Sequence, residues 1–246
     1  MNAQRNYNTY LSGMERGNAE KLFFLNKIDL NDFDTVIDFG CGGGDVIHAV
    51  AECDPRRRLA LIAIDQDEYM LKIAKQKTPD LICLNELSRT LINEKTLIIF
   101  NSVLHVVEKY WVTLKDILNN TGATVVVRDM RFGRKDNPLI DKNDLANLVF
   151  AANNIHLSDF IRKYGMRQQK DLYHFLLKYS YVDNWELEVT ENYFSFDWDD
   201  LISMGNVLYE NNYVLEFKKQ QVKNHFNIDL TIPTHCQLIL KLNKGD

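Results

Sequence analysis

The sequence predicts an α/β fold: a seven-stranded, mostly parallel, doubly wound sheet with an antiparallel edge strand and an inserted helical cap. Three observations carry this expectation. Short β-branched runs alternate with segments of helical period, the order that builds a parallel sheet covered by helices on both faces. Four of the eleven glycines crowd into positions 40–44, directly behind the first apolar run, which reads as a strand, a bare turn and a helix. The last two strand-like runs are separated only by 218–235, a stretch without a clear helix period, so they are expected to pair antiparallel at the sheet edge.

Taken in order, strands are expected at Thr35 to Asp38, Leu59 to Ile64, Leu81 to Leu84, Thr96 to Phe100, Ala123 to Val127, Tyr213 to Phe217 and Cys236 to Leu242. Between them, Val46, Ile47, Val50 and Ala51 share one helical face, as do Met70, Ile73 and Ala74, and then Leu114, Ile117 and Leu118. The stretch from Met130 to Asn212 is too long for one crossover. Its periodic apolar segments near 145–152, 158–164 and 172–179 read as a helical cap, followed by a strand-like alternation at 185–189 and a crossover helix starting near Asp199. No internal repeat or low-complexity linker interrupts the chain.

Composition narrows the class. A chain of 246 residues with 46% hydrophobic and 26% charged residues is that of an ordinary globular protein with one sizeable core. The net charge of −5 gives no global attraction to nucleic acid or an anionic membrane. The four cysteines, Cys41, Cys53, Cys83 and Cys236, lack paired spacing, so they read as reduced thiols and no metal site is expected. No run approaches the roughly 18 to 20 apolar residues that span a bilayer, and the first residues lack an apolar signal core. A cytoplasmic location with no membrane partner is expected.

The chemistry concentrates at "VIDFGCGGGDVI", residues 36–47. A glycine turn between a strand and a helix lets backbone N–H groups approach a ligand, with the positive end of the helix dipole behind them. A dinucleotide fingerprint would place its third glycine at position 45, where Asp45 stands. Asp38, at the tip of the strand, would repel a diphosphate and attract an ammonium. Asp65 closes the second strand about 20 residues further on, the position of an acidic acceptor for two ribose hydroxyls.

On these residues, "VIDFGCGGG" followed by Asp65 and by "IIFNSVLHVV" at 98–107, the chain resembles the class I S-adenosylmethionine-dependent methyltransferases. The resemblance implies a Rossmann-like cofactor core with an N-terminal helix at 1–129, to which the element order above adds the cap and last crossover helix at 130–212 and the final edge strands at 213–246. It implies S-adenosylmethionine as cofactor, with Asp38, Gly40, Cys41, Gly42 and Gly44 at its methionine end and ribose. Asp65 would then take the ribose hydroxyls, Gln66 would lie beside adenine, and Asn85, Glu86 and Leu87 would border the adenine amino group. Asn101 and Ser102 would sit under the sulfonium. Val106 stands where many members carry a second histidine.

Several of these residues also have plain structural readings. His105 can pack under the cofactor or act as a base, and Cys41 has no base placed near it. Arg128 and Asp129 end the fifth strand, where they can form an ion pair or face the substrate. Asp67 is a helix cap candidate, and Arg56 to Arg58 read as a solvated charge run. The rings between Tyr164 and Trp198 read as core or as a flat-sided pocket. A small-molecule N or O methyl acceptor is expected, because it fits the acidic net charge of −5 and the helical cap. An RNA acceptor, transfer RNA above all, is favoured by nine Lys or Arg against five Asp or Glu between Arg128 and Lys170. A non-catalytic subunit that kept the fold is the third alternative.

Overall fold

The computed structural model describes residues 18–56, 58–107, 110–130, 198–231 and 233–245, with isolated positions between 154 and 162. The described strands are β1 (Thr35–Phe39), β2 (Ala60–Ile64), β3 (Ile82–Leu84), β4 (Thr96–Asn101), β5 (Thr124–Met130), β6 (Gly205–Tyr213) and β7 (His235–Leu242). The α-helices named among the described residues are α1 (Asn18–Lys21), α2 (Asp45–Cys53), α3 (Glu68–Lys77), α4 (Trp111–Leu118), α5 (Trp198–Ile202) and α6 (Glu216–Phe226). The strands form one sheet in the order β3-β2-β1-β4-β5-β7-β6. β1 to β5 pair in parallel, and β7 runs antiparallel to both β5 and β6.

The sheet is doubly wound because its central strands are apolar on both faces. On one face Val36, Ala63, Leu97, Ile99, Val126 and Ile239 pack with Val46, Ile47 and Val50 of α2, with Leu71 and Ala74 of α3, and with Phe23 and Phe24. On the other, Ile37, Ile62, Ile98, Phe100, Val125 and Leu238 pack with Trp111 and Leu114 of α4 and with Trp198 and Leu201 of α5. Leu71 joins the buried face of α3 in place of the half-buried Ile73. α3 starts where Asp67 accepts from the Tyr69 N–H at 2.9 Å, the cap its sequence announces.

One strand lies elsewhere than expected. The sixth strand is Gly205–Tyr213, not Tyr213 to Phe217, and the helix Glu216–Phe226 takes the end of that expected strand and the first part of the expected connection 218–235. Pairing decides the strand: Gly205 lies opposite Leu242 and Tyr213 opposite His235, so the partner β7, apolar on both faces, draws an edge strand out of the polar "GNVLYENNY". α6 escapes the periodic reading because its polar residues include Lys219, Lys223 and Asn224 while Val222 is buried. The cap expected at 130–212 falls for most of its length outside the described residues, as does the alternation at 185–189. The crossover helix near Asp199 is α5.

Candidate functional site

In an open α/β sheet, ligands bind where neighbouring strands send their connections to opposite sides. Here that point lies between β1 and β4. It brings the glycine turn after β1, the end of β2 and the turn after β4 to one edge of the sheet.

The glycine turn is built for close approach. Gly40, Gly42 and Gly44 have φ of 69°, 52° and 77°, backbone that a side chain disfavours. Gly40 and Cys41 donate backbone N–H bonds to the Ile64 carbonyl at 2.7 and 3.0 Å, which ties the turn to β2. A Cβ on Gly40 would lie 2.3 Å from Val103 Cγ2, and one on Gly44 would lie 2.6 Å from Ala74 Cβ. Gly40→Ala is therefore expected to destabilise the protein by about 1 to 3 kcal/mol, read as a lower urea midpoint at unchanged slope. An unchanged midpoint would show that the turn gives way without loss.

Asp38 is 2% exposed, and its Oδ2 has no hydrogen-bond partner among the described residues. Burial raises its carboxyl pKa from 3.8 to about 7, with the charges of Asp65 and Asp45 pushing the same way and a hydrogen bond from the Ile47 backbone pulling back. That bond has a structural use. Gly44, the residue before α2, has no side chain with which to cap the helix, and Asp38 takes a first-turn N–H from the neighbouring strand instead. A carboxyl held here with one oxygen unmatched suits a cationic ligand group.

Asp65 organises the next wall. Its Oδ2 accepts from the Gly42 N–H at 2.9 Å and its Oδ1 from the Asp67 N–H at 2.9 Å, so one carboxylate joins the glycine turn to the start of α3. Gln66, Asn85 and Glu86 are exposed beside it at the ends of β2 and β3, whereas Leu87 is buried in the core. Cys41 is buried, and its thiol pKa is pushed up by burial and by the charges of Asp38 and Asp65, so it packs as a neutral thiol. Asp45 is held by the Lys77 ammonium at 2.5 Å.

β4 ends at Asn101, and the chain then turns through Ser102 and the short 3-10 turn Leu104–Val106. Ser102 adopts φ 57°, a left-handed conformation that disfavours a residue with a side chain by about 1 to 2 kcal/mol. Asp129, fully buried, accepts from the Leu104 N–H and bonds His105 Nδ1, both at 2.7 Å. Arg128 bonds Ser102 Oγ at 2.8 Å and approaches Glu20 at 3.5 Å. Arg128 and Asp129 thus do not act as a pair, because consecutive strand residues face opposite sides of the sheet. Glu20 was not legible as part of this site, since α1 carries no motif.

No protein-family model matches the chain, and no curated protein matches it in sequence. Solved structures do match. The plantazolicin methyltransferase BamL, in complex with a triazolic desmethylPZN analog and SAH, aligns over 98% of this chain and 92% of its own with a TM-score of 0.52 at 12% identity. The fold is that of the class I methyltransferases. The S-adenosylmethionine-dependent methyltransferase SibL in its apo form has a TM-score of 0.53 at 13% identity, over 97% of this chain and 58% of its own. The pyocyanin biosynthetic protein PhzM has 0.52 at 10% identity, over 95% and 57%. At these identities the likeness is one of fold. Among the described residues no His, Cys, Asp and Glu group is arranged to hold a metal ion, and no helix is long and apolar enough to cross a membrane.

Proposed function

We propose that the protein binds S-adenosylmethionine in this crevice and transfers its methyl group to a small-molecule N or O acceptor. The observation that carries the reading is the buried Asp38 with its unmatched oxygen beneath a turn of left-handed glycines. The residues fit a nucleoside bearing an amino acid. Asp38 would face the ammonium, and Gly40, Cys41, Gly42 and Gly44 would offer backbone to the methionine and ribose. Asp65 would face the ribose hydroxyls, and Gln66, Asn85, Glu86 and Leu87 would border the adenine. Asn101 and Ser102 would close the methionine end.

When bound, the cofactor supplies a methyl already activated by its sulfonium, so the protein's task is mainly to align the acceptor and exclude water. His105, its Nδ1 held at 2.7 Å by Asp129, is the group proposed to act as a base toward the acceptor. The net charge of −5 favours a small acceptor over a polyanion. The basic stretch that favours RNA lies almost wholly outside the described residues.

Calorimetry is expected to show binding of S-adenosylhomocysteine and none of NAD; heat with NAD alone would sink the reading. With labelled cofactor, label is expected in a small-metabolite extract. Label in transfer RNA would move the acceptor to RNA, and label in neither would favour a non-catalytic subunit.

A further inference from the structure

We propose that Arg128 is a positioning residue that holds the turn after β4, through Ser102, in the shape that borders the cofactor crevice. The inference rests on the reading above for what that turn borders. Ser102 sits at φ 57°, where a residue with a side chain stays only when its surroundings hold it. The holding group is on β5. Ser102 N–H donates to the Arg128 carbonyl at 2.6 Å, and the Arg128 guanidinium donates to Ser102 Oγ at 2.8 Å and to Asn101 Oδ1 at 3.4 Å. Ser102 is gripped by main chain and side chain of one residue. The next residue, Val103, is the one a Cβ on Gly40 would strike, so a shift at Ser102 reaches the glycine turn.

A guanidinium only 1% exposed needs a counter-charge. Glu20 of α1 supplies one: its carboxylate lies 3.5 Å from Arg128, and its carbonyl accepts from Gln237 Nε2 at 3.1 Å. Asn101, Arg128 and Gln237 stand directly opposite one another across β4, β5 and β7. By strand alternation they share the face lined by Val126 and Ile239. α1 is thereby joined to the strained turn through one row of polar side chains. An ion pair with no other role would lend stability alone; a positioning residue must also set the affinity of the crevice, and must become dispensable once the strain is removed.

Ser102→Gly removes the strain, because glycine adopts the left-handed backbone freely. Arg128→Met is expected to weaken S-adenosylhomocysteine binding by about tenfold or more in the otherwise unchanged protein, and by less than about threefold in the Ser102→Gly background. An equal loss in both backgrounds, or no loss in either, overturns the proposal. Where the methionine variant does not fold, Arg128→Lys keeps the charge beside Glu20 without the planar fork and carries the same expectations. If the unmodified protein gives no heat with S-adenosylhomocysteine, the cofactor reading fails, and the proposal is then judged by hydrogen exchange without ligand. The amides of 101–105 are expected to exchange at least about tenfold faster in the Arg128 variant while those of 35–39 keep their rates. Unchanged rates at 101–105 overturn it.

Discussion

Replacing Asp65 with Ala is expected to weaken S-adenosylhomocysteine binding by about 2 to 4 kcal/mol, the loss of charge-assisted bonds to two ribose hydroxyls, and to loosen the empty site as well. The second effect comes from the geometry. Both carboxylate oxygens already accept a backbone N–H at 2.9 Å, one from Gly42 and one from Asp67, so alanine would leave two donors unmatched on either side of the crevice. Asp65→Asn separates the contributions. Its amide has a single acceptor oxygen, enough for one of the two N–H groups, while its NH2 would turn toward the other donor. Asparagine is therefore expected to behave nearly as badly as alanine despite its matching shape. Calorimetry reads the affinity and thermal unfolding reads the loosening; wild-type affinity in the asparagine variant would show that the ribose is held elsewhere.

The glycine turn, Asp38 and Asp65 were legible in the sequence because each is a local requirement. A left-handed turn demands glycines, and Asp38 and Asp65 stand at the strand ends beside that turn, where they take the Ile47 N–H and the Gly42 and Asp67 N–H groups. The five parallel strands were legible because burial on both faces leaves continuous apolar runs such as Val36-Ile37 and Leu97 to Phe100. What escaped was set by partners distant in sequence. β6 takes its place from pairing with β7, across the intervening α6, against its own composition. Ser102 takes its left-handed backbone from β5, and Glu20 meets Arg128 across 108 positions. Arg128 and Asp129 were recognised as a dipeptide of interest, but their opposite orientations follow from where the strand ends. Asp129 faces the Leu104–Val106 turn, and Arg128 faces α1.

Acidification is expected to weaken cofactor binding through Asp38. Its pKa is raised from 3.8 to about 7, chiefly by burial and then by the charges of Asp65 and Asp45, against the hydrogen bond from Ile47. For a carboxyl raised on folding, the favourable contribution is fully present below the unfolded value and is lost as pH rises through the folded one. The ligand-free protein should accordingly lose stability between about pH 4 and pH 7, by on the order of 4 kcal/mol from this group. Asp38→Asn, which keeps an oxygen for the Ile47 N–H, should flatten that loss. A ligand ammonium reverses the preference, because it needs the carboxylate. Binding then releases a proton wherever the free site is protonated, and affinity for S-adenosylhomocysteine should fall about tenfold from pH 8 to pH 6. Two comparisons isolate the group. 5′-Methylthioadenosine has the nucleoside and thioether but no ammonium, so its affinity should not follow that slope. Asp38→Asn should bind S-adenosylhomocysteine more weakly at pH 8 and lose the slope. A slope shared by both ligands, or one that survives in Asp38→Asn, would assign the titration to another group and remove Asp38 from the ammonium.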